Sequence, residues 1–419
     1  MTDSQQTNYD VLFKYVNIIV DGKNAISIIN QVASIDIYES ILSPIITCNI
    51  HIVDRQNILE NIPLIMKKIF VEMEYITPRV EGGKKRRFVV NEVGNRVYDS
   101  QLKTSSFTLH CLSEEVIAHS NHVLSKVVSG EEIGKEVERI VRDELNSKKN
   151  VFIDTTKGTQ KIQISNLKPF QAIDKLRQRA ISLNNLSNSY LFFENHNGFN
   201  FVTLEWLVKG LPGTKDVDFY LTLGNSDRSE AGAVRNIIGY QGIVHDNTTN
   251  ILASGSMYTV QKRHDIASGS IIDVTTKPDI DAFVKDTGLR GALPPNFVAE
   301  NTKKPNKRIY TLHDSTLPET YNFEMPLKTF YVSLCTKHIT RIYVYGDSLM
   351  ACGSSLNLKL PVVSSGDEEQ GPDSYSKFLS GRHIVSKIRH MFNVQGRSTI
   401  SYHMSLELIR PAYGEAVIS

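Results

Sequence analysis

The run Ile400-Ser401-Tyr402-His403-Met404-Ser405-Leu406-Glu407-Leu408 alternates apolar and polar side chains without a break. Successive side chains of an extended chain point to opposite faces, so Ile400, Tyr402, Met404, Leu406 and Leu408 form an apolar row and Ser401, His403, Ser405 and Glu407 a polar one. That is the pattern of a half-buried antiparallel strand. Upstream, Ser380 to His390 is another strand candidate. Leu356, Leu358 and Leu360 alternate with Asn357 and Lys359 until Pro361, which has no N–H to give to a ladder, closes the strand. Ile342 to Tyr345 supplies one more, followed by the turn Gly346-Asp347-Ser348, and the loop Ser364 to Asp373 is acidic and carries Gly and Pro. Four strands in about seventy residues predict a small barrel or sandwich.

Outward from this stretch, residues 11 to 117 also read as all-β. Ile46, Cys48, Ile50 and Ile52 alternate with polar residues, as do Val71, Met73 and Tyr75, and Phe107, Leu109 and Cys111. Asp21-Gly22 between Val16 to Val20 and Ala25 to Ile29 is a hairpin signal. Asn57 to Met66 is expected to be a short helix or loop. Glu81 to Arg87 is expected to be a hairpin tip whose Lys84, Lys85, Arg86 and Arg87 are solvated, or else meet a neighbouring subunit or an acidic tail component.

The periodicity changes between Ser113 and Trp206. Val116, Ile117, His119 and Ser120 suit a short helix, and Ser129-Gly130-Glu131-Glu132 looks like the capped start of a longer one carrying Ile133, Val137, Ile140, Val141 and Leu145 at helical spacing. Pro169-Phe170 opens another helix with Ile173, Leu176, Ala180 and Ile181, where the missing proline N–H costs nothing. Tyr190 to Glu194 and Phe199 to Leu204 face each other across His196-Asn197-Gly198 as a hairpin. Strand signals return over Val234 to Ile238 and Ile251 to Val260, and Thr276 to Asn322, with Leu293-Pro294-Pro295 and basic Lys303, Lys304, Lys307 and Arg308, reads as an irregular insertion.

Composition narrows the function. The 419 residues suffice for two to four domains, and 41% hydrophobic with 22% charged residues is ordinary for a globular protein. A net charge of +2 lacks the basic footprint of tight nucleic-acid binding. No apolar run reaches the about eighteen residues of a membrane-spanning helix. The polar start Met1 to Asp10 has no signal-peptide apolar region, so synthesis and assembly in a cytoplasm are expected. Cys48, Cys111, Cys335 and Cys352 have no metal-like spacing and are expected to be unpaired.

Catalytic candidates fail one by one. His383 and His390, flanked by Arg382 and Arg389, are expected on opposite strand faces with no third metal ligand. Asp367, Glu368 and Glu369 are adjacent carboxylates in a loop, where solvated charge outweighs acid–base work. No nucleophile elbow, phosphate-binding loop or zinc-protease helix occurs. Trp206 is assigned a core role at a strand end. The expectation is no catalytic residue, no bound metal and no cofactor.

Several pieces occur in a telling order: Tyr345-Gly346-Asp347, then Gly353 to Pro361, then Asp367-Glu368-Glu369, then Ser380 to His390. With Pro169-Phe170, Phe192-Phe193-Glu194 and Gly198 in the middle, the chain resembles baseplate hub proteins of contractile-tailed bacteriophages, the late-control-type, tail-tube-like hub family. The resemblance implies a mainly β fold with an α/β middle domain and two tail-tube-like antiparallel β-barrels. The first barrel would span 1–117, the α/β domain 118–206, the second barrel 207–265 with 329–413, and a peripheral insertion 266–328. It implies a structural protein, a homotrimer with pseudo-sixfold symmetry joining the hexameric tail tube to a trimeric central spike. Other baseplate components would be partners, genomic DNA would only pass through, and the chain would not insert into a membrane. Two alternatives are a tail-associated peptidoglycan hydrolase and a spike-type component of a related injection machine; the end at Ser419 disfavours a fused spike.

Overall fold

The alternation becomes an alternation of burial. The computed structural model describes residues 11–20, 24–58, 68–77, 83–99, 104–184, 188–209, 217–221, 235–244, 258–265, 268–276, 307–313, 338–361, 375–376, 380–395 and 399–410. The first seven strands are β1 (Leu12–Val20), β2 (Asn24–Ser27), β3 (Val32–Ser40), β4 (Thr47–Asp54), β5 (Ile69–Ile76), β6 (Lys84–Asp99) and β7 (Thr104–Ser113). In β4 every second residue is buried, Cys48, Ile50, Ile52 and Asp54, and in β5 Ile69, Val71 and Met73 follow the same rule. One face therefore builds core while the other meets solvent. β1 and β2 pair antiparallel up to Val20 and Asn24, as the Asp21-Gly22 signal requires, although the turn itself lies outside the described residues. So does most of Asn57 to Met66.

After these strands come α1 (Glu115–Asn121), β8 (Leu124–Val128), α2 (Ile133–Arg139), β9 (Asn150–Ile153), β10 (Ile162–Leu167), α3 (Pro169–Arg177), β11 (Tyr190–Asn195), β12 (Gly198–Thr203) and α4 (Leu204–Lys209). The helical spacing predicted for Ile133, Val137, Ile140, Val141 and Leu145 holds, since all five are buried. Ser129 does not cap that helix, however. Glu132 occupies the N-cap without a side-chain bond, and Thr156 Oγ1 instead accepts the Gly134 amide at 3.0 Å. A partner distant in sequence thus satisfies an amide that a local cap would have taken. Trp206 lies in α4, partly buried, and not at a strand end.

The hairpin β11–β12 is buried on both faces. Tyr190, Phe192, Phe199 and Phe201 pack with α2 and α3 in a core of their own, while Leu191, Phe193 and Val202 join the core of the large sheet. Two-sided burial explains the unbroken aromatic and aliphatic run Tyr190-Leu191-Phe192-Phe193. Gly198 holds the turn at φ +136, where a Cβ would fall 2.2 Å from the Asn150 carbonyl oxygen of the parallel neighbour β9.

The remaining strands are β13 (Val217–Tyr220), β14 (Ile237–Val244), β15 (Thr259–Asp265), β16 (Ile271–Thr276), β17 (Lys307–His313), β18 (His338–Tyr345), β19 (Ser355–Lys359), β20 (Gly381–Gln395) and β21 (Thr399–Arg410). Among the described residues the fold is mainly antiparallel β, as expected, with its α-helices between Glu115 and Lys209. Strands from both expected barrels share one 13-stranded sheet, in the order β14-β18-β21-β20-β3-β4-β7-β6-β5-β1-β2, with β19 and β13 branching from β20. The join is β20. Its residues Gly381 to Ile384 pair with β19, and its residues Lys387 to Asn393 pair with β3. The sheet also curls. Val11 N–H donates to the Ile400 carbonyl at 3.4 Å, and Phe13, Tyr75, Phe392 and Tyr402 from β1, β5, β20 and β21 form one aromatic cluster with ring centroids 4.3 to 6.4 Å apart.

Two expectations change here. Residues 259–265, assigned to the second barrel, pair instead with β16 and β17 in a separate three-stranded sheet. The region 266–328, expected to be irregular, supplies those two partner strands. Its proline content hid them, because the signal averaged over the whole segment masks two short strands within it.

Candidate functional site

Glu39 and His390 each follow buried apolar residues on one face of their strand, and the fold brings Arg86 of a third strand to them. Glu39 follows Ile35 and Ile37 on the inward face of β3, Arg86 shares its face of β6 with Phe88, and His390 lies between Ile388 and Phe392 on β20. The Glu39 side chain is fully buried and accepts from Arg86 Nη2 at 3.4 Å and from the Cys352 amide at 3.3 Å. His390 Nε2 and His196 Nδ1 stand 3.9 and 4.0 Å from Glu39 Oε1. His390 Nδ1 hydrogen-bonds the Tyr402 hydroxyl at 2.8 Å. The cluster therefore ties β3, β6, β20, β21, the β18–β19 connection and the tip of the β11–β12 hairpin around one carboxylate.

Its electrostatics follow from burial. Desolvation raises the Glu39 carboxyl, against the pull of Arg86 and the Cys352 amide. Desolvation, then the nearby Arg86 charge, lowers His390 to about 3. His196 falls to about 2, through burial and the charges of Arg86 and Lys84. Both imidazoles are neutral at pH 7, beside one buried ion pair. A carboxylate sealed from solvent and bound to a guanidinium cannot exchange protons with an outside substrate, so this arrangement holds elements together instead of performing acid–base chemistry.

A second buried network fixes the middle region beneath the sheet. Lys149 Nζ donates to Glu194 Oε1 at 2.6 Å and to Glu115 Oε2 at 2.7 Å, and Ser147 Oγ donates to Glu115 Oε1 at 2.7 Å. Glu194 Oε2 accepts from Ser113 Oγ and, at 3.2 Å, from the Ile46 amide. Burial opposes charge on Lys149, but Glu194 and Glu115 outweigh it and raise its pKa. The junction of β4, β7, α1, β9 and β11 is thus held through two carboxylates on one ammonium.

The residues singled out from the sequence are placed as follows. Cys48 and Cys111 face each other as register partners on β4 and β7, both buried and free, and burial pushes the Cys111 thiol up to about 12. Cys352 is buried and free, with Sγ 3.0 Å from the Ser386 carbonyl. Cys335 and Asp367, Glu368 and Glu369 lie outside the described residues. His383 and His390 are both buried but not brought together: His383 Nδ1 bonds the Gly381 carbonyl at 2.8 Å. Arg382 meets Ser355, and Arg389 pairs with Asp36 through two bonds of 3.2 and 3.0 Å. Of the expected basic tip, Arg86 is neither solvated nor free for a partner, because Glu39 takes it inward. Among the described residues no cluster of three His, Cys, Asp or Glu side chains is arranged to hold a metal ion.

Glu39, Arg86, His196, Glu194, Lys149 and Glu115 were not foreseen as a group. The signal was present in Glu39 and His390, each a polar residue inside an apolar row, but strand pairing across hundreds of residues is needed to bring them together with Arg86 and His196 as one cluster.

No family model and no curated protein matches the sequence. Solved structures do match its shape. A tail protein from Neisseria meningitidis MC58 superposes with a TM-score of 0.56 at 11% identity, over 97% of this chain and 100% of that one. The 43 kDa tail protein of prophage MuSo2 from Shewanella oneidensis gives 0.55 at 10% identity, over 96% of this chain and 99% of that one. Across nearly its whole length the chain has the fold of these tail proteins.

Proposed function

We propose that this chain is a structural baseplate hub, a trimeric ring that joins a hexameric tail tube to a trimeric central spike. The observation that carries the proposal is the tail-protein fold over 97% of the chain. Two sheet halves per chain, linked through β20 and β3, give six in a trimer, so three chains can present near-sixfold symmetry to a tube and true threefold symmetry to a spike. The genome would pass through the ring without being gripped, in keeping with a net charge of +2. The place of action is the virion tail baseplate, after assembly in the host cytoplasm. No helix among the described residues is long and apolar enough to cross a membrane.

A hydrolytic role has no support in the site. Glu39 and Glu194, the described carboxylates raised by burial, are bound to Arg86 and Lys149. Light scattering of the purified chain, alone and with the spike protein of the same tail, tests the assembly. Three chains per complex support the proposal. A chain that stays monomeric with the spike present, or a hexamer of whole chains, overturns it.

A further inference from the structure

β18, β21, β20 and β3 lie side by side in the large sheet, and their registers decide which side chains meet on the face turned away from the core. Arg341 of β18 stands opposite Glu407 of β21, and Glu407 stands opposite Lys387 of β20. Two residues further along β20, Arg389 stands opposite Ser405 of β21 on one side and Tyr38 of β3 on the other. Three cations are thereby gathered on two adjacent rows, with Lys387 and Arg389 about 6.8 Å apart along the strand. These six residues line one cavity of about 250 Å³. That is below the roughly 300 to 1,000 Å³ of sites for organic ligands, so the cavity suits a small ion or a single group of a larger molecule.

Two of the cations share one carboxylate. Glu407 accepts from Lys387 Nζ at 2.8 Å and from Arg341 Nη2 at 3.2 Å. Its side chain is 11% exposed, whereas those of Arg341 and Lys387 are 50% and 51% exposed, so the anion sits at the floor and the cations at the mouth. Burial opposes its ionisation, but Lys387 and Arg341 outweigh burial and hold its carboxyl below the usual range. One carboxylate between two cations leaves a unit of positive charge in excess. Arg389, also about half exposed, gives Nε and Nη2 to Asp36, a pair that does not use Nη1.

We propose that this cavity is a phosphate site, in which Arg341, Lys387 and Arg389 bind one phosphoryl group beside Glu407. The guanidinium groups offer planar forks, the ammonium a point charge, and Ser405 and Tyr38 bring hydroxyl donors to the same cavity. Together these donors exceed what the two oxygens of a carboxylate can accept, and they suit the tetrahedral oxygens of a phosphate. Glu407 sets the strength, because it competes with the incoming anion for the same two cations and so keeps binding weak and readily reversed. The phosphoryl group has two sources, free phosphate and the backbone of a nucleic acid, and weak binding of the second agrees with a net charge of +2. All the residues belong to one chain, so the inference goes beyond the ring reading and does not depend on it.

Isothermal titration calorimetry of the purified chain with sodium phosphate tests the site, at neutral pH and constant ionic strength, with sodium acetate as the comparison. Two variants should move the affinity in opposite directions. Glu407→Gln removes the competing carboxylate and is expected to tighten phosphate binding about tenfold, while Lys387→Gln with Arg341→Gln is expected to weaken it about tenfold or more. Glu92→Gln, an exposed carboxylate on β6 outside the cavity, is expected to change nothing. Circular dichroism and melting temperature check the fold of each. Fluorescence anisotropy with a short labelled duplex separates the sources: DNA affinity that follows the same order of variants supports the site with the nucleic-acid backbone as its ligand, and DNA affinity indifferent to them supports it with free phosphate. A Glu407→Gln chain that binds phosphate no better than the wild type, or a paired variant that binds it as well, overturns the proposal. So does a wild type that binds acetate as tightly as phosphate.

Discussion

Replacing His390 by Gln removes one titrating group from the centre of the buried cluster while keeping a side chain able to bond the Tyr402 hydroxyl. His390 is faced by Glu39 from β3, Arg86 from β6, Tyr402 from β21 and His196 from the hairpin tip, and Arg86 is itself bonded to Tyr75 from β5. Folding lowers the pKa of His390 from 6.5 to about 3 and that of His196 from 6.5 to about 2. Between those limits the unfolded chain binds protons that the folded chain refuses, so stability is full above pH 6.5 and falls as the pH drops. Each histidine contributes a slope of about 1.4 kcal/mol per pH unit, hence about 2 kcal/mol between pH 6.5 and 5. Glu39 works in the opposite sense: its raised pKa adds stability below its unfolded value that is lost as pH rises through the folded one. Because Glu39 is common to both proteins, the difference between wild type and variant isolates the histidine. Denaturant unfolding at pH 7.5, 6.5, 5.5 and 5.0, at one protein concentration, measures it. The variant is expected to gain about 2 kcal/mol on the wild type between pH 6.5 and 5. Parallel stability curves would refute the buried neutral imidazole and the cluster built on it.

Glu39→Ala leaves Arg86 buried without its carboxylate and is expected to cost about 3 to 5 kcal/mol, whereas Glu39→Leu with Arg86→Met recovers most of that loss, as denaturant midpoints of the three proteins will show. Gly346→Ala places a Cβ 2.0 Å from Tyr402 Cδ1, inside the aromatic cluster, and thermal unfolding should register an overpacking loss of about 1 to 3 kcal/mol. Lys149→Met strands Glu194 and Glu115 in a buried site. Its loss of about 3 to 5 kcal/mol should appear with faster proteolysis of the α1–β9 region, and equal proteolysis of wild type and variant would deny that Lys149 holds that junction.

What the sequence made legible follows from how local each signal is. The apolar row of β21 is set by neighbours two residues apart, so Tyr402, Met404, Leu406 and Leu408 are all buried as their spacing predicts. The same holds for the buried positions of α2 and for Pro169 at the start of α3. The β6 tip was misjudged because four consecutive basic residues look solvated, and only Glu39, 47 residues away, shows why Arg86 turns inward. The strands of the two expected barrels are individually visible as alternation, but their union in one sheet through β20 and β3 is a pairing between residues about 350 apart, which no local pattern encodes. The candidate site was hidden for the same reason. Glu39, Arg86, His196 and His390 come from four separate parts of the chain, and each alone looks like an ordinary polar residue in a strand or turn.

The central claim is a hub that matches threefold to sixfold symmetry, and electron-microscopy class averages of the purified protein bound to its spike test it most directly. A ring of three chains with six similar lobes around a hole wide enough for duplex DNA is expected. Averages showing single particles without a ring, or six whole chains around the axis, would contradict it.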